Sequence, residues 1–169
     1  MALFPPGKGG GEGIDYGYKG KGVTLHTLTD GNGMPLAVIS TSARESEQSQ
    51  VIPLLKQPRV PSPKKKRHRN CPDVVQMDKG YDSQSLRNAI RNKGIKSIIP
   101  RRTHANCKQR SGRKPATLID RWKIERAFSW IQRKFRRLCI RWERRKKYWD
   151  GFVELAISFM WLSKVVEQK

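Results

Sequence analysis

Apolar and polar residues alternate in the first third of the chain, in the pattern of half-buried strands. The alternation runs through residues 22–30, and a second apolar run occupies residues 34–39. Between them stands Gly31-Asn32-Gly33, a sequence typical of a tight hairpin turn. The pattern therefore predicts two antiparallel strands joined by a turn.

The segments on either side of this hairpin carry weaker signals. Residues 5–22 are rich in glycine, which resists regular structure, so we expect a flexible crossing between strands. They do not fit a phosphate-binding loop, because Lys8 is followed by Gly9 where that motif requires Ser or Thr. Residues 46–55 suggest a short helix whose end is weakened by Pro53.

The middle of the chain has the pattern of a strand, a helix and a second strand. Residues 74–77 form a short apolar run that ends at Asp78, and residues 82–83 can cap a following helix. Gly94 stands where a left-handed residue would end that helix, before the apolar residues 95–99. This order favours parallel strands in an α/β arrangement. Asp78 would then lie at the carboxyl end of a strand, where active groups of such folds collect.

Helical spacing dominates the last third of the chain. An apolar stripe recurs at steps of four and three at Ile124, Phe128, Ile131, Phe135 and Leu138. Glu125 lies beside the stripe, on the rim between buried and exposed faces. A final helix is predicted over residues 150–166, with its core-facing positions at Phe152, Leu155, Phe159 and Leu162.

Composition points to a polyanionic partner. Lys and Arg number 36 against 14 acids, a formal charge of +22 over 169 residues, so the protein repels itself unless a polyanion covers it. DNA or RNA is the expected partner. No apolar run approaches the roughly 20 residues of a membrane-spanning helix. Residues 1–15 also lack the apolar core of a secretory signal.

Residues 56–70 are predicted to be a basic linker, because prolines and a run of Lys and Arg prevent packing into a core. The run resembles a nuclear localisation signal in composition, and a solvated loop that contacts phosphates is an equal alternative. Three dispersed cysteines argue for a reducing interior, and His68 with Cys71 makes only half of a zinc-site spacing. The five tryptophans are expected to be packing residues rather than base-stacking platforms.

Asp78 and Glu125 are the candidate catalytic and metal-binding residues. A carboxylate at a strand end and another on a later helix can converge on two hard cations, as phosphoryl transfer requires. Spacing alone leaves plainer alternatives open. Glu125 could pair with Arg121 along the helix, and Asp78 could cap the turn before Tyr81.

Several segments in order resemble the catalytic half of bacterial insertion-sequence transposases of the insertion sequence five group. They are Lys21–His26 with Asp30–Leu36, then Asp78–Ser83, then Glu125–Trp130 with Phe135–Leu138 and Arg141–Arg145. The likeness extends from about Pro6 to Leu162. It makes residues 1–169 a single catalytic domain that includes the basic linker.

The resemblance implies a ribonuclease H-like α/β fold, a mixed sheet with flanking helices. It also implies an Asp-Asp-Glu triad that binds two Mg²⁺ ions, with Mn²⁺ as a substitute, and that cuts transposon ends and joins them to target DNA. Asp78 matches the second Asp and Glu125 the Glu. Arg121 matches the Arg that precedes the Glu in the family, whereas Leu118 stands where Tyr is common.

The first Asp of the triad has no match. Glu12 and Asp15 are the only acids before Asp30, and both fall in the glycine-rich segment rather than at a predicted strand end. We therefore expect the first strand and the first catalytic Asp to be missing, so that this copy is truncated and weakly active or inactive. The alternatives are a non-catalytic DNA-binding fragment that interferes with an intact transposase, and an RNA-binding basic protein.

The basic residues around Glu125 are the candidate DNA contacts: Arg121, Lys123, Arg126, Arg133, Lys134, Arg136 and Arg137. They would grip phosphates, which positions DNA without specifying its sequence. The expected partners are transposon-end and target DNA, with a homo-oligomer or a mixed assembly with intact transposase. The expected place is the bacterial cytoplasm, at the nucleoid.

Overall fold

The protein is described by a computed structural model that covers residues 2–58, 71–101 and 121–167. Its strands are β1 (Ala2–Leu3), β2 (Asp15–Gly17), β3 (Gly20–Thr29), β4 (Pro35–Ser42), β5 (Val74–Gln76) and β6 (Lys96–Ile98). Its α-helices are α1 (Val51–Lys56), α2 (Gln84–Arg91), α3 (Arg121–Lys134) and α4 (Lys146–Val166). Most of the predicted linker, residues 59–70, and the basic connection 102–120 lie outside the described residues.

β3 is the centre of a four-stranded antiparallel sheet, in which it pairs with β1, β2 and β4. The predicted hairpin between β3 and β4 is confirmed. Its turn is closed by Asp30, whose Oδ1 accepts hydrogen bonds from the backbone N–H groups of Asn32 and Met34, both at 2.8 Å. Gly33 has φ +88°, a left-handed conformation that glycine adopts without steric cost.

The glycine-rich segment is more ordered than the sequence predicted. Residues 15–17 form β2, so Asp15 lies in a strand and not in an irregular loop. Residues 6–12 are fastened to the segment before α4 by backbone hydrogen bonds. Arg141 N donates to Pro6 O at 2.8 Å, and Glu12 N donates to Arg144 O at 2.8 Å. The prediction of an irregular segment was therefore wrong where residues 15–17 form β2 and β3 begins at Gly20. The bonds to the segment before α4 join residues far apart in the chain, which no local pattern predicts.

The strand, helix and strand predicted in the middle of the chain are confirmed. β5 and β6 pair in parallel, with Val75 opposite Ser97, and α2 connects them. Leu86 and Ile90 form the buried face of α2, and Gly94 takes the left-handed conformation, φ +72°, after its last turn. The α/β class is thus confirmed. Among the described residues the strands lie in two sheets, one antiparallel and one parallel.

α3 follows the predicted stripe only in part. Phe128 and Ile131 are buried, but the helix ends at Lys134 and Phe135 leaves the helical conformation at φ −120°, ψ 74°. A short 3-10 turn, Arg136–Leu138, then returns Leu138 to the core.

α4 begins at Lys146, earlier than predicted, and turns a different face inward. Its buried residues are Trp149, Val153, Ala156 and Met160. Of the predicted core positions, Leu155, Phe159 and Leu162 are exposed, and Phe152 is half-buried against the core. The helix carries two apolar stripes, and periodicity alone does not tell which of them faces the sheet.

Two clusters of buried side chains form the core. The first joins β3, α3 and α4 through Val23, Leu25, Phe128, Ile131, Leu138, Trp149 and Val153. The second joins α1, β5, α2 and β6 through Val51, Leu55, Val75, Met77, Leu86, Ile90 and Ile99. β3 reaches both, because Leu25 belongs to the first cluster and Leu28 packs against the second.

Candidate active site

Asp78 lies two residues beyond the last residue of β5, at the carboxyl end of a parallel strand, as predicted. Met77 N still donates to Ile98 O at 3.1 Å, so the β5–β6 pairing holds the backbone up to this point. The Asp78 carboxylate accepts a hydrogen bond from Gly80 N and caps the 3-10 turn Lys79–Tyr81. A Cβ at Gly80 would stand 2.8 Å from Asp78 Oδ1, so a side chain there would displace the Asp78 carboxylate. The plainer alternative, a turn-capping aspartate, is therefore also realised.

The segment before α1 fixes this turn from the other side. The buried Tyr81 hydroxyl donates a hydrogen bond to Glu47 Oε2 at 2.9 Å, and Gln48 Nε2 donates to Gly80 O at 2.9 Å. Burial raises the pKa of Tyr81 above its usual range, and the negative charge of Glu47 raises it further. Tyr81 thus remains a neutral donor that holds the Asp78 turn in place.

A cavity of about 570 Å³ opens beside Asp78 and connects the two halves of the site. Asp78 and Tyr81 line it on the β5 side, while Lys123 and Ile124 line it from α3. Glu125 is the next residue of α3, but its side chain is exposed and is not part of the lining. The structure therefore brings Asp78 and the start of α3 to one cavity, and Glu125 is not among the residues that line it.

The hairpin turn sets the position of α3. Lys123 Nζ donates to Gly31 O at 2.7 Å, and Arg126 Nη2 donates to Asn32 O at 3.0 Å. A Cβ at Gly33 would lie 2.8 Å from the Lys123 carbonyl oxygen, so the turn and the helix meet backbone to backbone. Sequence reasoning identified the turn but missed this contact, because nothing in the local pattern links residues 31–33 to α3.

The carboxylate oxygens around the cavity are the kind of ligand that Mg²⁺ prefers. The cavity is lined by four acidic residues, Asp30, Glu47, Asp73 and Asp78. Within the described parts of the chain, however, no three His, Cys, Asp or Glu side chains are placed to share one ion. The acidic residues around the cavity therefore supply the oxygen atoms that a metal prefers, but no three of the described residues are placed to share one ion.

Glu12 and Asp15, the acids considered as substitutes for the missing Asp, have other partners. Glu12 Oε2 accepts from Lys146 N at 2.9 Å, at the first turn of α4, where an anion complements the helix dipole. Asp15 Oδ2 accepts from Ser42 Oγ at 2.8 Å. Neither lines the cavity.

The candidate DNA contacts differ in what they already touch. Arg133, Lys134 and Arg136 are exposed. Arg137 is 62% exposed, but its Nε donates to Glu143 Oε1 at 2.7 Å and its guanidinium lies over Phe152. The side chain of Arg121 lies outside the described residues, and with it the proposed pair with Glu125. Lys123 and Arg126 hold the hairpin turn, so part of this basic set has a structural role.

Arg141 is a buried cation that joins the glycine-rich segment to the segment before α4, and sequence reasoning missed it. Its side chain is 0% exposed, its Nε donates to Glu143 O at 3.0 Å, and its Nη2 donates to Glu12 O at 2.6 Å. Burial lowers the pKa of Arg141, and the charges of Asp150, Glu143 and Glu12 oppose that shift. A buried arginine within a strongly basic stretch gives no signal by composition.

Four of the five tryptophans contradict the prediction that they pack in the core. Only Trp149 is buried, whereas Trp122, Trp130, Trp142 and Trp161 are exposed. Trp161 is anchored at one edge, because its Nε1–H donates to Pro35 O at 2.7 Å.

No helix among the described residues is both long and apolar enough to cross a membrane. No solved structure matches the chain. A curated protein of Burkholderia cepacia, "Putative transposase for insertion sequence element IS402", is 37% identical over 133 residues. The match covers 78% of this chain and 58% of that protein, so the chain spans a little over half the length of this relative. The family described as "Transposase DDE domain" matches residues 3–160, nearly the whole chain. The chain therefore belongs to the transposase DDE domain family.

Proposed function

We propose that this chain acts in DNA transposition, as the metal-dependent core that cleaves transposon ends and joins them to target DNA. The observation that carries the proposal is the cavity that Asp78, at the carboxyl end of β5, shares with the start of α3. Active groups of α/β folds collect at such strand ends. Membership of the DDE family supports the same reaction class. A ribonuclease H-like fold and the insertion sequence five group belong to this proposal.

Asp78 and Glu125 would be two of the carboxylates that hold Mg²⁺, or Mn²⁺ in its place. Two such ions stabilise the attacking and leaving oxygens when a phosphodiester is displaced in line. The hairpin turn positions the helix that carries Glu125, through Gly31 and Asn32. The Tyr81–Glu47 hydrogen bond positions the turn that carries Asp78.

DNA would lie against the basic face of α3, with its phosphates on Arg133, Lys134 and Arg136. The formal charge of +22 favours such a complex and makes it sensitive to salt. We place the protein at the bacterial nucleoid, with transposon ends and target as its DNA partners. A homo-oligomer, or a mixed assembly with an intact transposase, would bring two ends together.

We also propose that this chain by itself is weakly active or inactive. Asp78 and Glu125 alone, without a third carboxylate, would give two cations too few anionic ligands. The loss of one catalytic group of this kind commonly lowers the rate by orders of magnitude. A second candidate function is a non-catalytic DNA-binding protein that interferes with an intact transposase, and the formal charge of +22 supports it.

Metal binding and strand cleavage test the proposal together. We expect purified protein to bind Mn²⁺, and we expect Asp78→Asn and Glu125→Gln each to weaken that binding by about tenfold or more. Glu154→Gln, an exposed glutamate on α4, is the matched control and should bind like the wild type. Binding would be measured by the Mn²⁺ electron paramagnetic resonance signal, and weak cleavage of a labelled transposon-end duplex would be compared with and without Mg²⁺.

Each result decides between the candidates. If Asp78→Asn and Glu125→Gln bind Mn²⁺ as tightly as Glu154→Gln, the assignment of the metal ligands is wrong. If the wild type binds DNA with the same affinity with and without Mg²⁺ and both variants do the same, the non-catalytic candidate is favoured.

A further inference from the structure

An exposed ridge of alternating tryptophan and cationic side chains runs along α3. Trp122, Arg126, Trp130 and Lys134 follow one another at intervals of four residues, so they lie on one face of the helix. The two indoles are 53% and 39% exposed. The Arg126 guanidinium lies 4.8 Å from the ring centre of Trp122 and 5.8 Å from that of Trp130. Lys134 Nζ lies 5.4 Å from the Trp130 ring.

Packing within the described protein does not account for this ridge. The opposite face of α3 supplies Ala127, Phe128 and Ile131 to the core, so the helix needs no further apolar face to fold. Exposed apolar side chains that lie next to one another often mark a surface that contacts a partner.

The ridge is held in a fixed shape. Arg126 donates to Asn32 O at 3.0 Å while it sits between the two indoles. The cation–π contacts favour one orientation of the two rings. The two indole rings are therefore held in place before a ligand binds. Less side-chain entropy of the protein is lost when a ligand stacks on them.

Trp130 also borders a groove between α3 and α4. The groove has a volume of about 230 Å³, and its walls include Phe135 and Phe159, whose ring centres are 6.4 Å apart. Lys134, Lys164 and Glu167 also line it, and Lys164 Nζ lies 4.0 Å from Glu167 Oε2. Flat apolar walls next to the Lys134 ammonium group suit a planar, uncharged ring that is attached to a phosphate.

We propose that this ridge binds unpaired nucleotides of DNA, with bases stacked on Trp122 and Trp130 and phosphates on Arg126 and Lys134. The inference rests on the proposed function in that it takes DNA as the partner, and it adds the form of DNA that this face recognises. Base–aromatic stacking next to a basic track is how proteins hold single strands without reading sequence. The ridge is about 18 Å long between Trp122 and Lys134, at the helical rise of 1.5 Å per residue.

Charge makes DNA a better occupant than the alternatives. A second copy of a chain with a formal charge of +22 would bring like charges together across Arg126 and Lys134. A paired duplex would occupy the two cations but would leave the indoles without a stacking partner, because its bases are stacked on one another.

The test compares DNA forms of equal charge. Fluorescence anisotropy would measure the affinity of the protein for a short oligothymidine strand and for an abasic strand of the same length. We expect the wild type to prefer oligothymidine by about a hundredfold, which is about tenfold for each of two stacked bases. Trp122→Ala and Trp130→Ala should each reduce this preference by about tenfold, and Trp130→Phe should keep part of it. The salt dependence should not change, because no charge is removed.

Trp142→Ala is the matched control, since Trp142 is equally exposed but lies outside α3. It should leave the preference intact. Melting of each variant checks that the exposed substitutions leave the fold in place.

The outcomes separate this inference from the proposed function. Equal affinity of the wild type for the oligothymidine and abasic strands overturns the ridge as a stacking site while DNA binding stands. A loss of preference in Trp142→Ala as large as in Trp130→Ala overturns the assignment to α3. If the tryptophan variants change the association state in sedimentation but not the nucleotide preference, the ridge contacts a second copy and the inference is wrong. Failure to bind any DNA form contradicts the proposed function itself.

Discussion

The two core clusters of this protein are built by different means. The cluster of α1, β5, α2 and β6, which carries Asp78, is formed by elements close together in sequence and is almost wholly apolar. The cluster of β3, α3 and α4, which carries Glu125, joins residues more than a hundred positions apart and contains buried polar groups. Arg141 and Glu143 are among them, and the Arg141 guanidinium lies over the Trp149 ring.

This difference decides how each region responds to change. An apolar core loses stability in proportion to the contacts that are removed. A core with buried polar groups depends on each group keeping its partner, since an unpaired buried donor or charge is expensive. The two candidate metal ligands are thus supported by cores with different weaknesses, which makes the comparison testable.

The largest effect is expected for Arg141→Ala. It removes the donors to the Glu12 and Glu143 carbonyl oxygens and the cation beside three acids, so we expect a loss of about 3–5 kcal/mol in the free energy of unfolding. Urea denaturation measures it. The exposed Arg144→Ala is the control and should change stability by less than about 0.5 kcal/mol. A loss of stability in Arg141→Ala as small as that in Arg144→Ala would show that the buried polar contacts of Arg141 contribute little.

Ile90→Ala addresses the other region. Ile90 is 0% exposed in the apolar cluster, and its truncation should cost about 2–4 kcal/mol. The tryptophan band of near-ultraviolet circular dichroism, to which the buried Trp149 of the first cluster contributes, would be followed in urea beside far-ultraviolet dichroism. Coincident curves for Ile90→Ala mean that the two clusters unfold as one unit. An early transition in one signal alone would show that they unfold separately.

Acid should destabilise the region around β3 through His26. Burial lowers its pKa from 6.5 to about 4, so the folded protein holds the ring neutral, with Nε2 hydrogen-bonded to Thr41 Oγ1. The unfolded chain takes up the proton first as the pH falls. The contribution of neutral His26 to the free energy of unfolding is therefore present above about pH 6.5. It falls by about 1–3 kcal/mol as the pH is lowered from there to about 4. His26→Gln should have a shallower loss of stability over this range. An unchanged pH profile in that variant would assign the acid sensitivity to other groups.

The smallest effect is expected at the first turn of α4. Glu12→Ala removes the carboxylate that accepts from Lys146 N and should cost about 1 kcal/mol. The backbone carbonyl of Glu12, which accepts from Arg141, is untouched, so the variant isolates the cap. Glu154→Ala, an exposed change on the same helix, is the control. Equal melting temperatures for the two variants would contradict the capping role.

The predictions from sequence succeeded where neighbours in the chain decide the structure. The hairpin turn follows from Gly31-Asn32-Gly33, and the β5–α2–β6 unit follows from its apolar runs and Gly94. Asp78 could be placed at a strand end for the same reason. These are local signals of turns, caps and periodicity, and they do not need knowledge of distant contacts.

Distant contacts explain what was missed. The inward face of α4 is chosen by the sheet, and the sequence offers two apolar stripes to choose from. The burial of Arg141 requires the carbonyl groups of a segment some 130 positions earlier. The exposure of Trp122 and Trp130 follows from α3 presenting Phe128 and Ile131 to the core, and a tryptophan in a helix gives no sign of which side it takes.

Gly33 shows how an absent side chain can govern a distant one. A methyl group there would overlap the Lys123 carbonyl, so any other residue would push the first turn of α3 outward. Glu125 stands two residues further along that turn. The approach of α3 to the hairpin is thus set by a position that bears neither a charge nor a side chain, and a larger residue there would displace the helix that carries Glu125 without altering a single acidic group.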